Sequence, residues 1–276
     1  VTFVKAPRYG LDDLLRVMAR LRDPATGCPW DIRQDFRSIV PSTLEECYEL
    51  AQAIEHEDFP HVAEELGDVL FQVVFYAQLG SEQDLFSFQT IVDTLVTKLL
   101  RRHPHVFANG EIEGVVPARA SVESVKETWE SIKQAERSAK SQGAALADVP
   151  LALPALPRAQ KLQKRAARVN FDWPDAAGVL AKLEEEIAEL RRAMAAGSRA
   201  GVEEEMGDIL FTGVNLARHL ELDAEATLRR ASGKFEQRFS AMEKLATASG
   251  KSLRQLSAAE LDELWEAAKQ AGGHTP

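Results

Sequence analysis

The chain has 276 residues, 45% of them hydrophobic and 28% charged, with a net charge of −10 at pH 7; this is a globular composition with room for two compact domains. The acidic balance argues against a nucleic-acid-binding surface as the main business, because phosphate neutralisation needs clustered cations, but a small phosphate-bearing substrate could be held by metal ions and a few Lys or Arg. Two cysteines, Cys28 and Cys47, make no disulfide framework, and with no signal-peptide pattern and no apolar run near the ~18 residues of a membrane span, the expectation is a cytoplasmic protein without membrane contact.

Residues 11–22 have helical apolar spacing, stopped by Pro24 and Gly27. Cys28-Pro-Trp-Asp31 follows as an ordered loop, and Trp30 is expected in the core, the usual use of a single Trp. Ser42-Thr-Leu-Glu45 has the form of a capping box with Ser42 as N-cap and Glu45 three residues on. It predicts a helix to about residue 56 and leaves Glu46 and Glu49 free as ligands. Asp58-Phe-Pro60 starts the next helix, with Pro at the first helical position; this helix carries Glu65 and Asp68 and runs to about residue 79. A third helix, about 88–102, puts Lys98 and Arg102 on one face.

Residues 111–157 read as a linker between domains 1–110 and 158–276. Gly114, Pro117, Pro150, Pro154 and Pro157 break it, and 122–140 is a charged helix. The second domain opens with a basic helical face from Arg158 to Arg168, either solvated or orienting phosphates. Asn170-Phe-Asp-Trp173 takes the place of Trp30. Lys182, Glu186 and Glu189 then share one helical stripe beside an apolar one of Leu183, Ile187, Leu190 and Met194. On the next helix Glu205, Asp208, Thr212 and Asn215 form a polar stripe. Asp223 caps a long helix to about residue 248, carrying Lys234 and Arg238 four apart. Ser257-Ala-Ala-Glu260 is a second capping box, and its helix carries Trp265 and Lys269.

The two domains repeat one design. Glu45, Glu49, Glu65 and Asp68 stand to Glu185, Glu189, Glu205 and Asp208 at one offset: 185−45, 189−49, 205−65 and 208−68 are each 140. Glu-Glu-x-x-Glu followed by Glu-x-x-Asp, twice at a fixed spacing, marks an internal duplication.

Four carboxylates on two packed helices repel one another unless a cation neutralises them, and an all-oxygen set selects a hard cation, Mg²⁺ with Mn²⁺ as a substitute. No Glu stands three residues before any His, which counts against a di-iron bundle. Read alone, each helix is equally a solvated acidic face; the repeat and the nearby Lys234/Arg238 pair favour a polyphosphate site. There the metal polarises phosphorus and activates water, and the cations stabilise charge building up on the phosphates. There is no P-loop and no Ser or Cys nucleophile with a partner base. The second domain is expected to do most of the catalysis. Asn215 can hydrogen-bond a substrate where its counterpart Phe75 cannot, Lys182 corresponds to Ser42, and Trp265 has no counterpart before the linker.

Beyond the acidic motif, Gly-Cys-Pro-Trp-Asp at 27–31, Arg-Arg-His-Pro-His-Val-Phe at 101–107, Lys-Leu-Gln-Lys-Arg at 161–165, Glu-Met-Gly-Asp at 205–208 and Val-Asn-Leu-Ala-Arg-His at 214–219 resemble the MazG family of all-α nucleoside triphosphate pyrophosphohydrolases over nearly the whole chain. The resemblance implies an all-α fold of two tandem four-helix-type domains joined by a partly helical linker, paired into a homodimer. It implies Mg²⁺-dependent cleavage of a nucleoside triphosphate to monophosphate and pyrophosphate, in a housecleaning role. Carried over by motif, Glu186, Glu189, Glu205 and Asp208 are the metal ligands, matched in the first domain by Glu46, Glu49, Glu65 and Asp68. Lys182, Lys234 and Arg238 contact phosphates and Trp265 sits near the nucleotide. Gly201-Val202 lacks a cation that some relatives place before the second acidic pair. The competing readings are a narrower pyrophosphohydrolase for dUTP, dCTP or an alarmone, and a non-catalytic helical scaffold that binds a structural metal.

Overall fold

The computed structural model describes residues 8–116 and 149–271 and, between them, 120–125, 128, 129, 131, 132, 136 and 145–147. Among the described residues all regular structure is helical. The chain divides into two compact units, residues 1–135 and 136–276. Of the predicted linker helix, 122–125, 128, 129, 131, 132 and 136 are helical; the rest lies outside the described residues. No described helix is long and apolar enough to cross a membrane.

The first unit consists of α1 (Leu11–Leu21), the single turn α2 (Pro29–Ile32), α3 (Val40–Glu55), α4 (Phe59–Glu82) and α5 (Phe88–Arg102). Helices α3 and α4 form a hairpin, and α1 and α5 pack on α4. The core beneath is Met18, Ile39, Val74, Phe75 and Leu79, edged by Phe36, Phe71 and Tyr76. Arg22, just past α1, ties this unit together. Its Nε and Nη2 donate to Glu82 Oε1 and Oε2 at 2.8 and 2.6 Å, and its Nη1 donates to the carbonyls of Asp31 and Gln34. The guanidinium lies 5.2 Å from the centre of the Phe75 ring.

Three local expectations change. Helix α3 begins at Val40 with Pro41 in its first turn and Ile39 as N-cap, so Ser42 is already helical and caps nothing. The early start follows from Pro41, whose fixed φ and missing N–H suit a first turn. Thr43 is the hydroxyl used there: its Oγ1 bonds the Ile39 carbonyl and meets the Tyr76 hydroxyl, both at 3.0 Å. In α4, Asp58 caps the His61 N–H, so Phe59 holds the first helical position and Pro60 the second. Trp30 is 59% exposed. It rides on the short α2, and Phe36, Phe71 and Phe75 supply the aromatic mass of the core in its stead.

The second unit consists of α6 (Ala155–Ala167), α7 (Ala176–Ala195), α8 (Arg199–His219), α9 (Ala224–Ala248) and α10 (Ala258–Ala271). Helices α7 and α8 form the hairpin, α6 packs on α8, α9 contacts both, and α10 packs on α9. The expected caps are present: Asp223 accepts from Ala226 N at 2.8 Å, and Ser257 and Glu260 exchange side-chain and backbone bonds. Gln160 closes the corner between α8 and α9, donating to Leu222 O at 2.8 Å and accepting from Ala224 N at 3.2 Å.

The hairpin turns of the two units are the same object. Glu57 N donates to Ile54 O and Asp58 N to Ala53 O, both at 3.1 Å; Gly197 N donates to Met194 O and Ser198 N to Ala193 O, again at 3.1 Å. The turn residue is left-handed in each, Glu57 at φ 55° and Gly197 at φ 65°. The N-cap side chain that follows, Asp58 or Ser198, accepts from a backbone N–H three residues on.

Candidate active site

Helices α7 and α8 bring one carboxylate oxygen each from Glu186, Glu205 and Asp208 within 4.8 Å of one another. Glu186 is the buried member, at 5% exposure, because α7 turns that face against α8. Desolvation first, then the neighbouring carboxylates of Glu189, Glu186, Glu204 and Asp208, push the Glu205 carboxyl up. Glu189 therefore stands close by but outside the trio, with its Oε1 held by Arg192 Nη2 at 2.9 Å. Lys182 Nζ reaches Glu185 Oε1 and Glu186 Oε1, each at 2.9 Å. Hydrogen bonds to Glu185 and Glu186 raise its pKa further.

In the first unit Glu46, Glu49 and Glu65 converge in the same way. Here Asp68 is the member outside the trio, close enough to contribute, after desolvation, to pushing the Glu46 carboxyl up. Glu65 is buried at 6% exposure, its Oε1 takes His61 Nε2 at 2.6 Å, and its Oε2 has no partner. Each hairpin thus gathers three of its four expected ligands tightly, with the fourth alongside. The odd one out differs: Glu189 in the second unit and Asp68 in the first. Arg192, the partner of Glu189, corresponds at the 140 offset to Gln52.

The remaining expected residues fall into two groups. Lys234 and Arg238 stand on α9 and Trp265 on α10. The Trp265 ring centre lies 5.5 Å from that of Phe235, and the Arg238 guanidinium lies 5.9 Å from it. Arg238 and Trp265 thus present a cation and an aromatic face together. Asn215 lies on α8, buried at 3% exposure, and its Oδ1 accepts from Arg218 Nε at 2.8 Å. Arg218 in turn pairs with Asp172, which also meets His219 Nε2 at 3.0 Å. Against a partial desolvation that raises it, the bonds from Arg218 and His219 keep the Asp172 carboxyl below its ordinary range. No sequence pattern reveals this network: Arg218 and Asp172 lie 46 residues apart, and no periodicity connects them. His61 was missed although its spacing was readable, since it stands one helical turn before Glu65.

Chemically, the hairpin offers a hard, all-oxygen donor set from two helices, and α9 and α10 offer a cation–aromatic surface. The sequence matches the family described as the MazG nucleotide pyrophosphohydrolase domain over residues 34–107 and 176–242. Both acidic hairpins lie inside the matched segments. The chain is similar to the nucleoside triphosphate pyrophosphohydrolase of Escherichia coli (strain K12), 47% identical over 94% of this chain and 97% of that protein. It is similar to the nucleoside triphosphate pyrophosphohydrolase/pyrophosphatase MazG of Thermotoga maritima, 43% identical over 94% of this chain and 95% of that protein. A third relative, the uncharacterized protein YabN of Bacillus subtilis, is 40% identical over 92% of this chain and 50% of its own length. With an acidic hairpin in each matched segment and relatives aligned almost end to end, this chain belongs to the MazG nucleotide pyrophosphohydrolase family.

Proposed function

We propose that this protein hydrolyses nucleoside triphosphates to the monophosphate and pyrophosphate, and that the second unit's carboxylate cluster carries the reaction. The observation behind this is the convergence of Glu186, Glu205 and Asp208 on one point, in a chain whose relatives from E. coli and T. maritima are named for this activity. The donor set fits Mg²⁺, with Mn²⁺ as a substitute, because every ligand is a carboxylate oxygen. The buried, unpartnered Glu65 Oε2 of the first unit supports the same fit there: a bare buried carboxylate oxygen is costly without a partner.

Glu186, Glu205 and Asp208 would hold the cation, with Glu189 close by as a fourth carboxylate. When bound, the cation neutralises phosphate charge and activates water. Lys234 and Arg238 bind the phosphates and stabilise the charge that builds up as the bond between the α phosphorus and the bridging oxygen breaks. Trp265 stacks on the base, and Asn215, oriented by Arg218, donates its amide to the nucleoside. The water oxygen ends on the monophosphate, and pyrophosphate leaves.

We also infer a homodimer. Met206 and Leu210, one turn apart on α8, are both exposed, an apolar stripe suited to a second copy. The test is pyrophosphate release across a panel of ribo- and deoxyribonucleoside triphosphates, with and without exhaustive chelation, on protein characterised by sedimentation. Turnover is expected with Mg²⁺ and not after chelation. Undiminished turnover after chelation would refute the metal role, silence on every nucleotide would refute the hydrolase, and a sole species of 30.5 kDa at micromolar concentration would refute the dimer.

A further inference from the structure

Each cluster has a built-in basic partner on its most buried carboxylate, and the two units supply it from opposite helices. In the second unit Lys182, one turn before Glu186 on α7, puts its Nζ 2.9 Å from Glu186 Oε1. In the first unit His61, one turn before Glu65 on α4, puts its Nε2 2.6 Å from Glu65 Oε1. At the 140 offset the counterpart of Lys182 is Ser42, and that of His61 is Gly201. A buried carboxylate needs a partner, and the duplicated hairpins meet the need differently.

The geometry points to Lys182 as an internal counter-ion that competes with the metal for Glu186 and is released to the substrate's phosphates when the metal binds. This rests on the metal site proposed above. An ammonium and a divalent cation on one carboxylate repel each other, so occupancy of the cluster by the metal disfavours the contact between Lys182 and Glu186. Lys182 can leave: its side chain is 32% exposed, on a flexible four-carbon stem, whereas Glu186 is fixed in the hairpin with its side chain 7% exposed. Glu185, its other partner, is 56% exposed and holds it only loosely in water. A triphosphate is the stronger acceptor. Nucleotide that draws Lys182 away removes the metal's competitor, and metal that displaces Lys182 frees a phosphate-binding cation. The two ligands are therefore positively coupled through this residue, and by linkage the coupling is reciprocal. In the first unit Ser42 supplies no such lysine, and the basic partner is His61 on Glu65 instead.

The experiment uses the full chain carrying Glu49→Gln and Asp68→Asn, so that metal binding reports the second unit. Mn²⁺ is titrated calorimetrically at pH 8, with and without the non-hydrolysable α,β-methylene analogue of ATP. Lys182→Met is expected to bind Mn²⁺ more tightly in the absence of nucleotide, by about five- to tenfold, the lower range of couplings between linked sites. In that variant the analogue should tighten Mn²⁺ binding several-fold less than in the parent, since only the direct attraction between metal and phosphates remains, and Lys182→Gln should behave alike. Glu186→Gln should lose the second-unit Mn²⁺ site. If Lys182→Met binds Mn²⁺ equally or more weakly while Glu186→Gln loses it, Lys182 supports the site and the counter-ion inference is overturned with the metal site intact. If Glu186→Gln keeps its Mn²⁺ binding, the metal site itself is misplaced and the inference falls with it.

Discussion

The two units place matching carboxylates on matching hairpins but brace them by different means. Around the first hairpin the packing is aromatic: Phe75 is fully buried among Met18, Ile39 and Leu79, with Arg22 clamped between Glu82 and the α2 carbonyls. In the second unit Phe75 is replaced by Asn215, and a polar chain runs from Asn215 through Arg218 to Asp172 and His219. Among the described residues the buried apolar ones there are small or slender: Val149, Val179, Val214, Ala224, Met242, Ala246 and Ala268. The difference shows that two helices and a turn suffice to converge the carboxylates, so the surroundings are free to specialise. The first brace is apolar; the polar one puts a buried amide on the same helix as two of the clustered carboxylates, Glu205 and Asp208.

The most direct way to break this comparison is to disarm one hairpin at a time. Glu189→Gln with Asp208→Asn should reduce pyrophosphate release by on the order of 10²–10³, the usual cost of removing an electrostatic contact to the reacting group. Glu49→Gln with Asp68→Asn should cost little. Equal losses in the two doubles, both still folded, would mean that the units are catalytically equivalent. Stability should show the reverse bias. Arg22→Ala takes the charged partner from Glu82, leaving it Gln78 alone, and removes a donor from the Asp31 and Gln34 carbonyls; it should cost the first unit about 1–3 kcal/mol, the range for losing a hydrogen bond to a charged group, read as an earlier urea transition with NTP hydrolysis retained. A smaller effect would place the strength of that unit in its aromatic core alone. The smallest effect concerns the turns. Glu57→Gly should stabilise the first hairpin and Gly197→Ala destabilise the second, each by about 1 kcal/mol, because a β-carbon is strained in the left-handed region. A β-carbon at Gly197 meets nothing within 4 Å, so thermal melts of the pair would isolate the backbone cost.

Much of this was readable without coordinates. The helical stripes of α7 and α8 and the 140-residue offset fixed which carboxylates meet, since three- and four-residue spacing dictates a shared face. What could not be read was which carboxylate of the four stands apart. In the second unit that carboxylate, Glu189, pairs with Arg192, one of several pairings a surface arginine could make. Trp30 misled because composition says how large a ring is and not which way a short turn points it. Ser42 misled because two start signals overlap there, and Pro41, one residue earlier, prevailed. The arginine networks of Arg22 and Arg218 join residues far apart in sequence, beyond the reach of any local pattern.

The left-handed turns at Glu57 and Gly197 carry a consequence for the order of events in the cell. Because each turn is so short, all the carboxylates of a cluster fall within residues 46–68 or 186–208. Contacts this local form early in folding, ahead of the docking of α1 and α5 or of α6 and α9. A ribosome adds about 5–20 residues per second and domains fold from the N-terminus onward. The first hairpin can thus close and meet the cations of its surroundings on the order of ten seconds before the second has been made. The duplication thereby gives the chain an early acidic hairpin, braced by an apolar core, and a late one braced by the polar network of Arg218.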